Sequence, residues 1–243
     1  LTKKEKKRNK PKHNGLKNTI AILCLFIGLI LIFLGPIKEF IISWLGNDYA
    51  VSTVDADTIQ KNLKKEGEFD FSTVKELDFE TVLRARLMRE GMNIIGGIAI
   101  PSVSLNLPVI KGVDNLSLAV GAGTMKEDLV MGEGNYSLAS HRMNGNPRLL
   151  FSPLFELKGG ETIYLTDLTN IYIYEVSSIE KVDITRIDVI DEVPGKKLVT
   201  LVTCDFESDI RLIVQGTLKE KVPMKEASKE AKAAFKLPEN GWQ

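Results

Sequence analysis

Three side chains in this sequence have the types and spacing for covalent chemistry: Cys204, His141 and Arg211. The stretch Leu198–Leu218 reads LVTLVTCDFESDIRLIVQGTL. Two runs rich in Val, Ile, Leu and Thr flank a polar link, the pattern of strand, turn and strand. Cys204 closes the first run and Arg211 opens the second. If the runs pair antiparallel, at the roughly 5 Å spacing of neighbouring strands, the guanidinium reaches the space in front of the thiol. A free cysteine is commonly a small buried hydrophobe, so the pair gains meaning only from the rest of the chain.

Composition supplies that context. The chain has 243 residues, enough for one sizeable core or two small ones, and a formal net charge of zero. The zero hides an asymmetry. Residues 1–18 hold eight Lys or Arg against Glu5 alone, which leaves the body mildly acidic. Basic residues are therefore not in surplus on the folded part, and this argues against a nucleic-acid partner.

Thr19–Ile37 follows, nineteen residues without a charge. As a helix it spans roughly 28 Å, close to the hydrocarbon thickness of a bilayer. Gly35-Pro36-Ile37-Lys38 offers no small-residue cleavage site, so the segment is expected to be an uncleaved signal anchor. The basic arm, with His13, is expected on the cytoplasmic side and everything after about residue 45 outside.

That topology changes the cysteine arithmetic. Of the two cysteines, Cys24 lies in the apolar span, so Cys204 is alone outside and no intrachain disulfide can form there. Oxidising compartments use cysteines in pairs, and a solitary thiol is either incidental or functional. His141 is likewise the one external histidine, at the end of an apolar run and before the loop Arg142–Pro147. Thiol nucleophile, acid/base and oxyanion donor then each have one candidate, the set that acyl transfer requires. Zinc would want three or four ligands at spacings such as CxxC or HExxH, and neither occurs.

These groups need elements to hold them. Residues 38–93 are polar with helical spacing and are expected to form a linker and N-terminal helices. Asp55 or Asp57 would cap a helix ending at Leu63, and Ser72 or Thr73 another ending at Leu87. From Ile94 the pattern turns to short strands punctuated by Gly, Pro and Asn. The expected strands are Ile98–Ile100, Leu107–Ile110, Ala119–Gly121, Tyr136–Ser140, Thr162–Leu165, Tyr172–Ile184 and the two runs of the hairpin. Eight such strands suggest a mainly β fold closed into a barrel. Leu149–Leu157 is expected to be a short helix, and the Ala-, Lys- and Glu-rich tail a surface helix through Ala234.

Thr200-Leu201-Val202-Thr203-Cys204 resembles the TLxTC signature of sortases. Arg211 at the start of the next strand and His141 upstream match that family's arginine and histidine. Gly97–Pro101, Leu107–Ile110, Gly121–Met125 and Val193–Gly195 agree with it as well. The resemblance spans residues 94–218 and, with the N-terminal anchor, is to the class A housekeeping enzymes of Gram-positive bacteria.

The resemblance implies an eight-stranded β-barrel with short helices behind one transmembrane helix. It divides the chain into a cytoplasmic arm (1–18), a span (19–37), a linker (38–93), a catalytic barrel (94–218) and a tail (219–243). The implied activity is a cysteine transpeptidase acting on LPxTG sorting signals. Cys204 would be the nucleophile, His141 the general acid/base and Arg211 the oxyanion partner. Thr203, Ala139 and Ser140 would help line the substrate wall. Val182 and Ile184, in the connection before the cysteine strand, would hold the Leu-Pro part.

Implied partners are LPxTG-bearing surface proteins, the amine of lipid II or a peptidoglycan cross-bridge, and membrane lipid. No cofactor is required by the resemblance. Calcium is possible through Glu180, Asp183, Asp188, Asp191 or Glu192, without an assigned site. A cell-surface cysteine peptidase would use the same three residues, and a pilus-type sortase is the rival within the family. The tail carries Leu237-Pro-Glu-Asn-Gly241, similar to a sorting signal with Asn in place of Thr, and is expected at most to visit the enzyme's own groove.

Overall fold

A computed structural model describes residues 14–75, 77–87, 92–143, 145–205 and 209–235. The basic arm through His13 and the Leu237–Gly241 motif lie outside the described residues. Two units are present, Leu1–Lys38 and Glu39–Gln243.

The described part of the first unit is helical. Helix α1 runs over Asn14–Asp48, its last residues belonging to the second unit. Its stretch Lys17–Leu45, which holds an 18-residue window of mean hydropathy 3.0, is long and apolar enough by length and composition to cross a membrane. The helical run is thus longer than the Thr19–Ile37 expected from the uncharged segment alone.

The second unit is a closed eight-stranded barrel. Its strands are β1 (Ile94–Ile100), β2 (Leu105–Ile110), β3 (Ala122–Thr124), β4 (Asn135–Ala139), β5 (Thr162–Thr166), β6 (Asn170–Asp183), β7 (Leu198–Cys204) and β8 (Ile210–Pro223). The order around the barrel is β1-β2-β3-β4-β7-β8-β6-β5. Closure leaves no free sheet edge to template pairing with another chain. Two neighbours, β2–β3 and β4–β7, are parallel and the rest antiparallel.

The third strand lies one turn later than the sequence pattern suggests. Asp114 accepts hydrogen bonds from the backbone N–H of Leu116 (2.9 Å) and Ser117 (3.1 Å), a side-chain cap. This cap starts a short helix, Asn115–Val120, that takes Ala119 and Val120 out of the sheet. Gly121 then turns the chain against Pro108, whose carbonyl oxygen would lie 2.4 Å from any Cβ placed there.

The N-terminal helices are part of the fold. α2 (Ala56–Leu63) is capped by Asp55, which accepts from Thr58 N–H at 2.7 Å, as its spacing predicts. α3 (Phe79–Leu87) begins behind Asp78, which accepts from Thr81 N–H at 2.7 Å, rather than behind Ser72 or Thr73. Thr73 instead donates its hydroxyl to Asp70 O within a 3-10 turn. The short helix at Leu149–Leu157 is also a 3-10 turn, Ser152–Glu156.

Two apolar clusters hold the unit together. The larger fills the barrel with Ile98, Leu107, Tyr136, Leu138, Tyr174, Val199, Leu201 and Val214. Ile42, Leu45 and Tyr49 belong to the same cluster, so the segment expected as a linker supplies core residues. Each such aliphatic side chain contributes roughly 1.5–3 kcal/mol by leaving water.

The smaller cluster packs Val51 and Ile59 with Ala99, Tyr164 and Ile171 of the barrel and with Ala231, Ala234 and Phe235 of the tail. β8 runs to Pro223, five residues past the expected end of the barrel. The tail helix that follows, Lys229–Ala234, is capped by Ser228 and buries Ala231 and Ala234 rather than lying wholly on the surface.

Candidate active site

Strand alternation decides which way the cysteine points. Val199 and Leu201 on β7, with Val214 on β8, are buried in the barrel core. Period-two geometry therefore sends Val202 and Cys204 to the outer face. Cys204 is exposed and is the last paired residue of β7. Its Cα partner on β8 is Arg211, and Arg211 is in turn the partner of Val182 on β6. Directly opposed residues share a face. Val182, Arg211 and Cys204 thus form one row across three strands, with a cation between an apolar side chain and a thiol. The guanidinium Nη1 donates to Ile210 O at 3.1 Å.

His141 reaches the same end of the sheet from the other side of β7. β4 lies parallel to β7, in register from Asn135↔Leu198 to Ala139↔Val202. One residue further, Ser140 N–H donates to Val202 O at 3.2 Å and keeps the chain on β7. His141 then leaves the strand, 9% exposed, with its carbonyl accepting from Phe151 N–H at 3.0 Å. Cysteine, histidine and arginine therefore come from three neighbouring strand ends, β7, β4 and β8.

The remaining expected site residues divide. Ala139 lies opposite Val202, in the row next to the thiol and half-buried. Val182, 7% exposed, stands in the row of Arg211 and Cys204, and Ile184, 47% exposed, opens the loop just beyond it. Ser140 and Thr203 are closed to solvent. Thr203 donates its hydroxyl to Ser140 O at 2.8 Å, and Ser140 donates its own to Gly121 O at 2.7 Å. In this arrangement the two tie the histidine strand to the cysteine strand from inside the barrel.

The connection between β6 and β7 folds back over the outer face through a 3-10 turn, Ile187–Ile190. A polar patch on the sheet holds it. Asn135 Nδ2 donates to Val189 O (3.1 Å) and Asp191 O (2.9 Å), and Gln215 Nε2 donates to Val189 O (3.2 Å). Thr200 donates to Asn135 Oδ1 at 2.6 Å, which leaves the Asn135 amide aimed at the loop. Lys126 Nζ donates to Ile190 O (2.7 Å) and Glu192 Oε1 (3.3 Å), while Asn135 N–H donates to Glu192 Oε2 (2.9 Å). Gly134, at φ +50°, leaves that carboxylate room, since a Cβ there would lie 2.1 Å from Glu192 Oε2.

Sequence reading missed this anchoring set. Its one available signal was polarity at alternate strand positions, Asn135 on β4, Thr200 on β7 and Gln215 on β8, where an apolar residue would be expected on a covered face.

The acids near this loop have partners of their own. Hydrogen bonds from the Thr185 side chain and backbone hold the Asp183 carboxyl below its ordinary value. The Arg186 guanidinium does the same for Asp188. Glu192 is engaged by Lys126 and the Asn135 backbone. Among the described residues no group of three or more His, Cys, Asp or Glu is arranged to hold a metal ion.

The arrangement can perform thiol-based acyl transfer. An exposed sulfur can attack a carbonyl, the adjacent cation can meet the developing oxyanion, and the imidazole can move a proton.

Comparison with known proteins agrees. The Sortase domain family matches residues 98–219. Sortase A of Streptococcus agalactiae is 41% identical over 94% of this chain and 96% of its own length. Sortase A of Listeria monocytogenes is 40% identical over 84% of this chain and 92% of its own. The Listeria monocytogenes sortase A structure superposes with a TM-score of 0.54 at 41% identity, covering 58% of this chain and 97% of that one. Sortase C-1 of Actinomyces oris gives 0.51 at 27% identity, covering 68% and 94%.

Proposed function

The chain belongs to the sortase family and is a cysteine transpeptidase of the kind that anchors surface proteins; from that premise we propose that it cleaves LPxTG-type sorting signals between Thr and Gly and passes the acyl group to lipid II. The observation that carries this reading is the row Val182–Arg211–Cys204 at the open end of the sheet.

Cys204 passes its thiol proton to His141 and attacks the threonine carbonyl carbon, and the carbonyl π electrons move to oxygen beside the Arg211 guanidinium. His141 gives a proton to the glycine nitrogen as the C–N bond breaks, leaving a thioester on Cys204. The incoming amine attacks that thioester, His141 takes the amine proton, and the sulfur leaves as thiolate. Val182 and Ile184 offer apolar surface for the Leu-Pro part, and Ala139 completes the wall beside the thiol.

The Lys17–Leu45 helix supports a single-pass membrane anchor with the basic arm inside and the barrel outside, next to a lipid-borne amine donor. Calcium has no part in this reading, because Lys126 already holds the loop that acidic residues would otherwise be recruited to order.

The test uses the full chain in nanodiscs with an LPxTG peptide and a panel of short amines, followed by intact mass. A thioacyl adduct and an amine-dependent ligated product, both absent in Cys204→Ala, are expected. Cleavage without ligation to any amine assigns a hydrolytic peptidase instead.

A further inference from the structure

The parallel ladder of β4 on β7 has a constant offset of 63 residues, from Asn135↔Leu198 to Ala139↔Val202. Beyond the last paired residues that offset continues in side chains. Ser140 and Thr203 are joined by the threonine hydroxyl. Arg142 and Asp205 are joined by an ion pair whose side chains are 14% and 11% exposed. The intervening pair at the same offset is His141 and Cys204.

We propose that Arg142 and Asp205 are positioning residues that close the register on the far side of His141 and Cys204 and so hold the imidazole against the sulfur. This rests on the assignment of Cys204 as nucleophile and His141 as acid/base.

Both partners are held from several directions. The Arg142 guanidinium lies 3.6 Å from the centre of the Phe155 ring, and its backbone bridges to Leu150. Asp205 accepts from Lys181 Nζ at 2.6 Å through its other oxygen, and its N–H donates to Ile210 O at 2.9 Å. Each charge thus has a fixed seat at the end of the barrel. Neither side chain has to touch substrate for this role. Stacking on Phe155 uses the planar guanidinium, which a lysine ammonium does not reproduce.

The pair also settles an electrostatic problem. Asp205 directly follows Cys204, and a lone carboxylate there would leave an uncompensated negative charge at the strand end. With Arg142 on one oxygen and Lys181 on the other, its charge is compensated where it stands.

The test measures kcat and KM for peptide ligation by the full chain in nanodiscs. The variants are Arg142→Gln, Asp205→Asn and the double, with Cys204→Ala and His141→Ala as controls. Each single variant is expected to lower kcat by about tenfold or more, the scale set by small misplacements of reacting groups. KM should stay within about twofold, and the double variant should fall no further than either single one, as for two members of one unit. Wild-type kcat in the single variants, a loss confined to KM, or losses that multiply would overturn the proposal.

Near-UV circular dichroism checks folding. Where Arg142→Gln does not fold, Asp205→Glu takes its place. It keeps every charge and moves the carboxylate by one methylene, so a lowered kcat supports positioning and an unchanged one refutes it. Ligation surviving in Cys204→Ala or His141→Ala would instead sink the assignment of those two residues.

Discussion

Cys204 and Arg211 are the final Cα partners of the β7–β8 ladder, and the same arginine is the partner of Val182 on β6. The cation is therefore set by sheet register, not by a flexible loop. A substrate carbonyl presented to the sulfur from solvent meets a donor whose backbone cannot slip without breaking pairs on two sides.

Removal of that donor should be costly. Arg211→Ala is expected to lower kcat/KM for peptide ligation by about 10²- to 10³-fold, the usual effect of losing one oxyanion donor. Arg211→Lys should restore little, because a point ammonium lacks the planar fork. Steady-state kinetics with iodoacetamide labelling of Cys204 checks this, with labelling retained in both variants.

The loop over the sheet should depend on Lys126 and be indifferent to chelators. Lys126→Met removes donors from Ile190 O and Glu192 and should raise KM for the sorting peptide by about three- to tenfold through lost pre-ordering. Ligation rates of the wild type with EGTA and with added calcium should coincide. A calcium-stimulated wild type would show that the acids of this loop do recruit the ion.

The end of α1 should carry stability as well as location. Leu45 is fully buried in the main core cluster, and Leu45→Ala is expected to cost about 2–5 kcal/mol. Denaturant unfolding of the barrel in detergent, followed by near-UV circular dichroism, measures it. Leu87→Ala, at a residue 75% exposed, is the matched control and should change little.

Alkaline pH should attack the barrel through its tyrosines. Burial pushes the phenols of Tyr136, Tyr174 and Tyr172 above the ordinary value of 10.0, with the nearby Asp167 carboxylate adding to the shift at Tyr172. A raised folded value favours the protonated form, so the stabilisation is complete below pH 10 and is lost as pH rises through the folded values. Absorbance at 295 nm should show these three ionising together with the collapse of the near-UV signal. Smooth titration in a folded barrel would contradict their burial.

Much of this was legible in the sequence because it is local. The hairpin needs only two β-rich runs around a polar link, and it brings Cys204 and Arg211 together as their spacing suggests. Asp55 caps α2 through its own third neighbour. The parallel seat of β4 on β7 was not legible, since no short-range pattern records which distant strand will be a neighbour. Nor was burial of Ile42, Leu45 and Tyr49, because an apolar residue at the end of a membrane-length helix looks the same whether lipid or protein covers it. The third strand was misplaced for a local reason: the Asp114 cap outweighs the β pattern of the residues after it.

The mixed strand order has a consequence for how the enzyme comes into being. Cys204 and Arg211 are joined by the short link of one hairpin, and closing so small a loop is fast. His141 meets Cys204 only through a parallel pairing across 63 residues, with two strands of the barrel, β5 and β6, between them in the chain. Contacts of that separation form late, because their chain entropy must be lost before they return anything. On the proposed roles of Cys204 and His141, a copy whose barrel is incomplete therefore carries a thiol without its proton carrier and is chemically idle. Completion of the barrel is itself the switch that turns the enzyme on.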